Sequence, residues 1–485
     1  MDLHFIGEAV ATQLTLGVAI GGNCVQRAVG ALHRQFRSYR SNDLTVTWQV
    51  PSGVLPPDHL ARFVCDISDK LDLSEILNDY EGGGGRGQPP FDPLMMTRFY
   101  IYCRMKGIRS AEKAYEATYE DMGCRMLTND QHPKKSTIHN FFKRHLTALA
   151  NLFDQSVKLC EAADLVDLEN VAVDGSKVKA NASLHHAMSY DHMCKKVAQY
   201  EKEIPEIKAE IQELCKQEAS VTRDNKLAEL SKDLKMRQKR LPVILESKAV
   251  LEEAARQAAE SNQNAPEQAT RKSGKRRKKK PTGMPEPKSQ RNFTDPESRV
   301  MPYKKSWLQG YNTQVAADGK AQVIVGHDVV QATNDKLELL PMALQLFRRF
   351  KRLPTNLLAD CGFFSADVVS SPEWDMMGPT NLFIPPGKEA KGRTKSAPVG
   401  RIPKDISVAD RMARKLKTRS GHATYALRKC IIEPVFGQIK NGVLSFAEFH
   451  LRRLAQVKEE FAATCAIHNL LKLYHHGWNP IASAS

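Results

Sequence analysis

A charged, helix-prone segment at residues 186–260 constrains the fold more than any other feature of this sequence. Its leucines and isoleucines recur three and four positions apart, which is typical of helices that pack along a heptad seam. The seam is broken near Pro205 and Pro242, because proline disfavours a helix interior. The segment therefore predicts an antiparallel helical hairpin that is inserted into another domain.

Short β-prone runs lie on both sides of this hairpin. They occupy residues 171–173, 311–317, 322–330 and 356–359. Asp318-Gly319 separates the second run from the third and predicts a tight β-turn, in which the turn residues take positive φ. Helical patterns accompany these runs, and residues 425–474 form the longest of them. The pattern predicts an α/β domain with a mixed sheet flanked by helices.

The residues before this domain are of two kinds. Residues 1–50 show no strong pattern, and we expect them to form a poorly ordered arm. Residues 51–166 have helical periodicity and predict an all-α domain. Within it, Lys134 and Lys135 precede a helix for which Ser136 is the expected cap. Helix-turn-helix readers of DNA have this arrangement, and so do ordinary surface helices.

The chain carries a large excess of positive charge. It has 71 Lys and Arg against 55 Asp and Glu, which gives a formal net charge of +16. Such an excess attracts polyanions, of which nucleic acid is the commonest in cells, although charge alone also fits an ordinary basic protein. In the linker at residues 261–300, a dense basic run that includes Arg276, Arg277 and Lys278 predicts phosphate contacts without sequence specificity.

Two absences from the sequence bear on location. No run reaches the roughly 18 uninterrupted apolar residues of a membrane span. The ten cysteines stand singly, without the close pairs of a zinc or redox motif. We therefore expect a cytoplasmic protein with no membrane partner.

Three carboxylates are candidates for a shared site. Asp174 and Asp360 each close a strand-like run, and Glu433 lies in a helical run. Strand ends of an α/β sheet gather at one edge, where two aspartates can face a glutamate from a helix packed on the sheet. Three converging carboxylates require cations, and their hard oxygens suit Mg²⁺ or Mn²⁺. Two such ions support phosphodiester transfer, although an aspartate at a strand end is often only a turn former or a helix cap.

These residues also carry a resemblance to a known family. It rests on blocks in the family's order at residues 173–183, 295–299, 310–314, 334–335, 359–364 and 433–440. In these blocks the chain resembles the DDE transposases of bacterial insertion sequences. The resemblance implies an RNase H-like catalytic domain over residues 167–476, interrupted by the hairpin and the basic linker, and a DNA-end-binding role for residues 51–166. It maps the catalytic, metal-binding trio onto Asp174, Asp360 and Glu433.

The family's Tyr-Arg-Glu-Lys signature maps less regularly. Its counterparts are Tyr425, Arg428, Glu433 and Lys440. One more residue separates Arg428 from Glu433 than in related groups, so either Arg428 or Lys429 takes the role of the signature arginine. Both of these residues and Lys440 are expected to contact DNA.

The resemblance implies a two-metal-ion DNA transposase. Such an enzyme hydrolyses DNA at the ends of a mobile element, and the freed 3′-hydroxyl then attacks target DNA. The implied partners are the terminal repeats, the target DNA and a second copy of the chain, with nucleoid association during the reaction. Two alternatives stay open: a transposase-derived protein that binds DNA without catalysis, and a nuclease that only hydrolyses.

Overall fold

The computed structural model describes residues 55–80, 88–218, 220–263, 283–387, 400–403 and 405–477. The expected arm at residues 1–50 lies outside these ranges, as do Arg276, Arg277 and Lys278 of the basic linker. Within the described ranges, no helix combines the length and the apolar character needed to span a bilayer.

In the part of the chain that the structure describes, eight strands form two sheets. They are β1 (Asn170–Lys179), β2 (Ala187–Ser189), β3 (Gln290–Asn292), β4 (Arg299–Tyr303), β5 (Ser306–Asp318), β6 (Ile324–Val330), β7 (Asn356–Ala359) and β8 (Asn381–Phe383). Strand β5 pairs antiparallel with β1 along one edge and with β4 and β6 along the other. On the far side of β1, strand β7 pairs parallel with β1, and β8 pairs parallel with β7. The main sheet is therefore mixed, in the order β6–β5–β1–β7–β8 with β4 also on β5, and β2 pairs with β3 apart from it.

Helices surround the main sheet, so the predicted mixed sheet with flanking helices is confirmed. Those before β1 are α1 (Leu60–Ser68), α2 (Ser74–Asn78), α3 (Pro93–Met105), α4 (Ala111–Glu120), α5 (Met122–Thr128), α6 (Lys135–Arg144) and α7 (Leu146–Ala162). Those after β1 are α8 (Tyr190–Lys216), α9 (Val221–Gln263), α10 (Leu339–Phe350), α11 (Ala366–Val369), α12 (Glu373–Met377), α13 (Val408–Lys417), α14 (Arg419–Lys440) and α15 (Leu454–His475).

Strand β1 lies in the middle of the sheet because its first half is apolar on both faces. Val171, Ala172 and Val173 are all fully buried, which is typical of a strand covered on both sides. Helix α14 packs against β1, β5 and β7, and helix α15 packs against β6. The polar residues that follow Val173 therefore occupy a half-buried stretch in the middle of β1.

One apolar core runs through the N-terminal helices and the sheet. Helix α7 packs along α15, and the thiol of Cys160 donates to the carbonyl of Asn469 in that contact. Since α15 also covers β6, it joins the helices before β1 to the sheet. The domain boundary between residues 166 and 167 stays a prediction, and it divides a core that is continuous.

Helices α8 and α9 lie between β2 and β3 in the sequence, and they run antiparallel to each other. Arg237 of α9 pairs with Glu203 of α8 at 2.7 Å, and Lys226 pairs with Glu210 at 2.8 Å. A small core of its own, which includes Met193 and Ile244, joins the two helices near the sheet end. The hairpin is thus an appendage whose apolar contacts are separate from the main core.

Three local expectations are wrong. Pro205 and Pro242 lie inside α8 and α9 without ending them, and both are exposed, so water can satisfy the carbonyl that each proline leaves unpaired. Helix α6 begins at Lys135 with no side-chain cap, so Ser136 is not its cap. Between β5 and β6 the positive φ falls on Gln322 and not on Gly319, because Gln322 is held by bonds to α14 and α15.

Candidate active site at the end of the central strands

Asp174 and Asp360 lie side by side at the ends of the buried parts of β1 and β7. Val173 pairs with Ala359 in the parallel ladder, so the two aspartates are the next residues on neighbouring strands, which run about 4.8 Å apart. Each carboxylate accepts a backbone N–H at 2.8 Å, Asp174 from the next residue of β1, Gly175, and Asp360 from Gly362 in the turn that follows β7. The sheet therefore brings these two predicted residues together, as their positions after apolar runs suggested.

Arg428 of α14 closes the site from the helix side. Its guanidinium donates to Oδ2 of Asp174 at 3.0 Å and is only 11% exposed. The neighbouring Lys429 is exposed on the other side of the helix. Of the two residues considered for the signature arginine, the structure therefore places Arg428 at the aspartates.

Burial and the nearby charge of Asp360 both disfavour the ionised form of the Asp174 carboxyl group. Burial raises the pKa of Asp174 from 3.8 to about 6, the nearby charge of Asp360 adds to the rise, and Arg428 and the Gly175 N–H oppose it. One arginine thus compensates only part of the negative charge of the pair. Perturbed carboxylates of this kind are common in catalytic sites.

Glu433 does not join the two aspartates in this structure. It is exposed, and five residues of helix turn it about 140° away from Arg428. Lys440 lies two turns further along nearly the same stripe of α14 and reaches β1. Glu433 therefore stands beside the site, in an exposed position, and its role stays a prediction.

The aspartate pair fits a divalent cation in its chemistry. Carboxylate oxygens are the donors that Mg²⁺ and Mn²⁺ prefer, and the guanidinium in contact with the pair, that of Arg428, faces two carboxylates. Within the described ranges, no three His, Cys, Asp or Glu side chains already form a group that could hold a metal. The pair is therefore a partial donor set, to which a third ligand has to be added.

Lys440 links α14 to the central strand. Its ammonium donates to the hydroxyl of Ser176 and to the carbonyl of Lys177, both at 2.6 Å. Burial, and to a lesser extent the charge of Lys304, lower the pKa of Lys440 to about 8. In this structure the predicted DNA contact at Lys440 is engaged within the protein, beside the aspartates.

The other predicted DNA contacts lie elsewhere. Lys134 and Lys135 are exposed at the start of α6, where Lys135 pairs with Glu112 at 3.3 Å. They remain predictions, as do the basic-linker residues outside the described ranges.

Sequence reasoning missed one carboxylate at this edge of the sheet. Asp335, in the loop before α10, accepts hydrogen bonds from Asn312 and Gln314 of β5. The blocks at residues 310–314 and 334–335 contributed to the family resemblance, but no role was attached to either. Their side chains meet in the fold, which the spacing alone could not reveal.

Comparison with known families gives two matches. The family described as Transposase domain (DUF772) matches residues 50–144, and the family described as Transposase DDE domain matches residues 281–470. The second range contains Asp360 and Glu433, while Asp174 lies between the two ranges. No curated protein and no solved structure matches the chain.

Proposed function

Because this chain is a DDE transposase of the insertion-sequence type, we propose that it cuts DNA at the ends of a mobile element and joins the freed 3′-ends to target DNA. The observation that carries this proposal is the pair of aspartates side by side on neighbouring strands β1 and β7, with one arginine as counter-charge. A protein that only bound DNA would have no use for two half-buried like charges side by side, which disfavour each other.

The catalytic domain is proposed to be RNase H-like over residues 167–476. Support comes from the strand order β6–β5–β1–β7–β8, in which the first three strands of that order are antiparallel and the last two run parallel to β1. The helical hairpin and the basic linker interrupt this domain after β1. The helices at residues 51–166 are the proposed DNA-end-binding part.

Asp174, Asp360 and Glu433 would hold divalent metal, with two Mg²⁺ or Mn²⁺ ions as the proposed complement. When bound, such ions activate the attacking hydroxyl and stabilise the leaving oxygen. Glu433 would complete the donor set by turning inward from its exposed position on α14. In the absence of metal, Arg428 neutralises Asp174. Once the guanidinium is released from Asp174, it is suited to bind a phosphate oxygen.

DNA is the proposed partner, on the strength of the charge and the family. The net charge of +16 favours polyanions. Lys134 and Lys135 are proposed to contact the element ends, and Lys429 and Lys440 the DNA near the site. A homodimer that pairs two ends is proposed from the family alone.

The exposed position of Glu433 is the observation that favours the binding-only alternative. In that case the aspartate pair would be a remnant, and no substitution in it would change any DNA reaction. The hydrolysis-only alternative shares the site with a transposase, and only the joining step separates the two.

The test is cleavage of DNA that carries the element's flanking ends, with Mg²⁺ or Mn²⁺. Asp174→Asn, Asp360→Asn and Glu433→Gln are each expected to lower the rate on the order of a thousandfold, as the loss of one member of a catalytic group does. Asp318→Asn is the matched control. It changes a buried aspartate at the C-terminal end of β5, and the variant should cut DNA at the wild-type rate.

The products decide among the three functions. Insertion of the cut ends into a supercoiled target supports a transposase, and cutting without insertion indicates a nuclease. Specific DNA binding by the wild type without cleavage under either metal would refute the catalytic proposal.

A further inference from the structure

The carboxylate of Asp335 is held by two buried amides of β5. The side-chain N–H groups of Asn312 and Gln314 donate to its Oδ1 at 2.7 and 2.6 Å. Both amide residues are only 1% exposed, so they have little freedom to move. The position of Asp335 is therefore fixed by the sheet, although Asp335 itself lies in a loop.

Asp335 also occupies the space beside the residue that follows Asp174. A Cβ atom at Gly175 would lie 2.5 Å from Oδ1 of Asp335 and 2.8 Å from Nε2 of Gln314. Contacts this short are not tolerated between such atoms, so residue 175 must lack a side chain while Asp335 stays in place.

The same carboxylate approaches the turn that follows Asp360. A Cβ atom at Gly362 would lie 2.9 Å from Oδ1 of Asp360 and 3.6 Å from Oδ2 of Asp335. The two carboxylates thus flank one glycine. Asp335 therefore lies beside Gly175, which follows Asp174 in β1, and beside Gly362 in the turn that follows Asp360.

Polar capacity is left unused at this point. Oδ1 of Asp335 takes both amide bonds, and no hydrogen bond from a described residue reaches Oδ2. The buried Oε1 of Gln314 is likewise without a partner among the residues that the structure describes. Unpaired buried acceptors are unfavourable, and they are retained more often at functional sites than in ordinary cores.

We infer that Asp335 is a positioning residue for the aspartate pair. Its fixed carboxylate packs against Gly175 of β1 and against the turn after β7, and so sets the separation of Asp174 and Asp360. The inference rests on the proposed function, because a cation bound by both aspartates needs their oxygens held to within about 0.5 Å. It also gives a role to the residue blocks at 310–314 and 334–335.

The test compares two variants by Mn²⁺ binding, measured from the spin-resonance signal of the free ion, and by the Mn²⁺ dependence of cleavage. Asp335→Asn keeps the shape and an oxygen that accepts both amide bonds, so it should stay within about threefold of the wild type. Asp335→Ala should weaken Mn²⁺ binding at least about tenfold and raise the Mn²⁺ requirement of cleavage equally, as the loss of a supporting residue does at metal sites.

A third variant tests position without removing any carboxylate. Gly175→Ala would push Asp335 away and should weaken Mn²⁺ binding by about the same factor. Asp318→Ala is the matched control, because it likewise removes a carboxylate that accepts two N–H groups. Asp318 is buried in β5 and accepts the N–H groups of Leu168 and Lys320. It should lower the melting temperature and leave Mn²⁺ affinity unchanged.

Two outcomes would overturn the inference. Wild-type Mn²⁺ affinity in Asp335→Ala would show that the aspartates need no such support. Equal losses of Mn²⁺ affinity in Asp335→Asn and Asp335→Ala would show that Asp335 acts through its charge and not by holding the two aspartates in position. Failure of the proposed function looks different. In that case the wild-type protein would not bind Mn²⁺, and the Asp174→Asn substitution would not change cleavage.

Discussion

Two regions on the main sheet treat buried polar groups in opposite ways. In the first, here called the α15 contact, Asn469 and His468 of α15 meet the β5–β6 connection and the start of β6. Asn469 accepts from the N–H of Ile324 at 2.8 Å and donates to its carbonyl at 2.9 Å and to Ser156 at 3.2 Å. The ring Nε2 of His468 donates to the carbonyl of Gln322 at 3.0 Å. Each side chain has the partners that its burial requires.

The second region is the aspartate site, made of Asp174, Asp360 and Arg428 with the Asp335 support. Here the Nε of Arg428 and the Oε1 of Gln314 are buried without partners among the described residues, and the aspartates disfavour each other's charge. A region that is fully paired contributes to stability. A region left short of positive charge gives up stability that a bound cation can restore, which is the usual distinction between a core and a functional site.

The largest expected effect comes from breaking the α15 contact. Asn469→Ala leaves the buried N–H and carbonyl of Ile324 unpaired and should lower the free energy of unfolding by about 4 kcal/mol. Urea unfolding measures the loss, and cleavage by the folded fraction should be unchanged. A loss below about 1 kcal/mol would show that the buried hydrogen bonds of Asn469 contribute no more to stability than hydrogen bonds at the protein surface.

The second effect is the pH dependence of the same contact. Burial lowers the pKa of His468 from 6.5 to about 4. A group with a lowered folded-state pKa takes up its proton more readily when unfolded, so its contribution is complete above pH 6.5 and is lost as the pH falls toward 4. The loss should be about 3 kcal/mol. His468→Gln should flatten this part of the profile, and an unchanged slope would contradict the assignment.

The aspartate site should show the opposite sign at slightly smaller size. Its raised pKa means that Asp174 favours the folded state below pH 3.8 and loses that contribution as the pH rises through about 6. Between pH 4 and pH 8 in metal-free buffer, the stability of Asp174→Asn relative to wild type should therefore rise by about 2 kcal/mol. Saturating Mn²⁺ should shrink this difference, because the ion supplies the missing charge. A difference that falls with pH would show that Arg428 already overcompensates the pair.

The contrast between the regions also explains what the sequence could predict. Strand β7 was predicted with its actual bounds, because the apolar run at residues 356–359 ends sharply at Asp360. The adjacency of Asp174 and Asp360 was predicted from two strand ends that share one edge, but only Asp360 follows its strand, because β1 continues past Asp174 to Lys179 in its pairing with β5. His468 lies on an apolar stripe of α15 and is buried there, as residues on such a stripe are expected to be.

What could not be predicted depends on contacts distant in sequence. The orientation of Glu433 follows from which face of α14 packs on β1, and one residue more or less after Arg428 turns that side chain by about 100°. Asp335 looked like an ordinary loop residue, because its partners Asn312 and Gln314 lie on a strand whose register is set by the tertiary fold. The positive φ at Gln322 likewise follows from its bonds to α14 and α15.

The smallest expected effect tests the compensation within the aspartate site itself. Arg428→Gln removes the positive charge that opposes the rise, so the pKa of Asp174 should increase from about 6 by roughly one unit. Lys429→Gln is the matched control, because it removes the same charge one residue away on an exposed face and should leave this pKa unchanged. The carboxyl carbon shifts of labelled aspartate in metal-free buffer report the titration, with Asp174→Asn identifying the signal. Equal shifts in the two variants would mean that Asp174 senses the general charge of α14 and not the contact with Arg428, and the proposed transfer of that arginine to a phosphate would lose its basis.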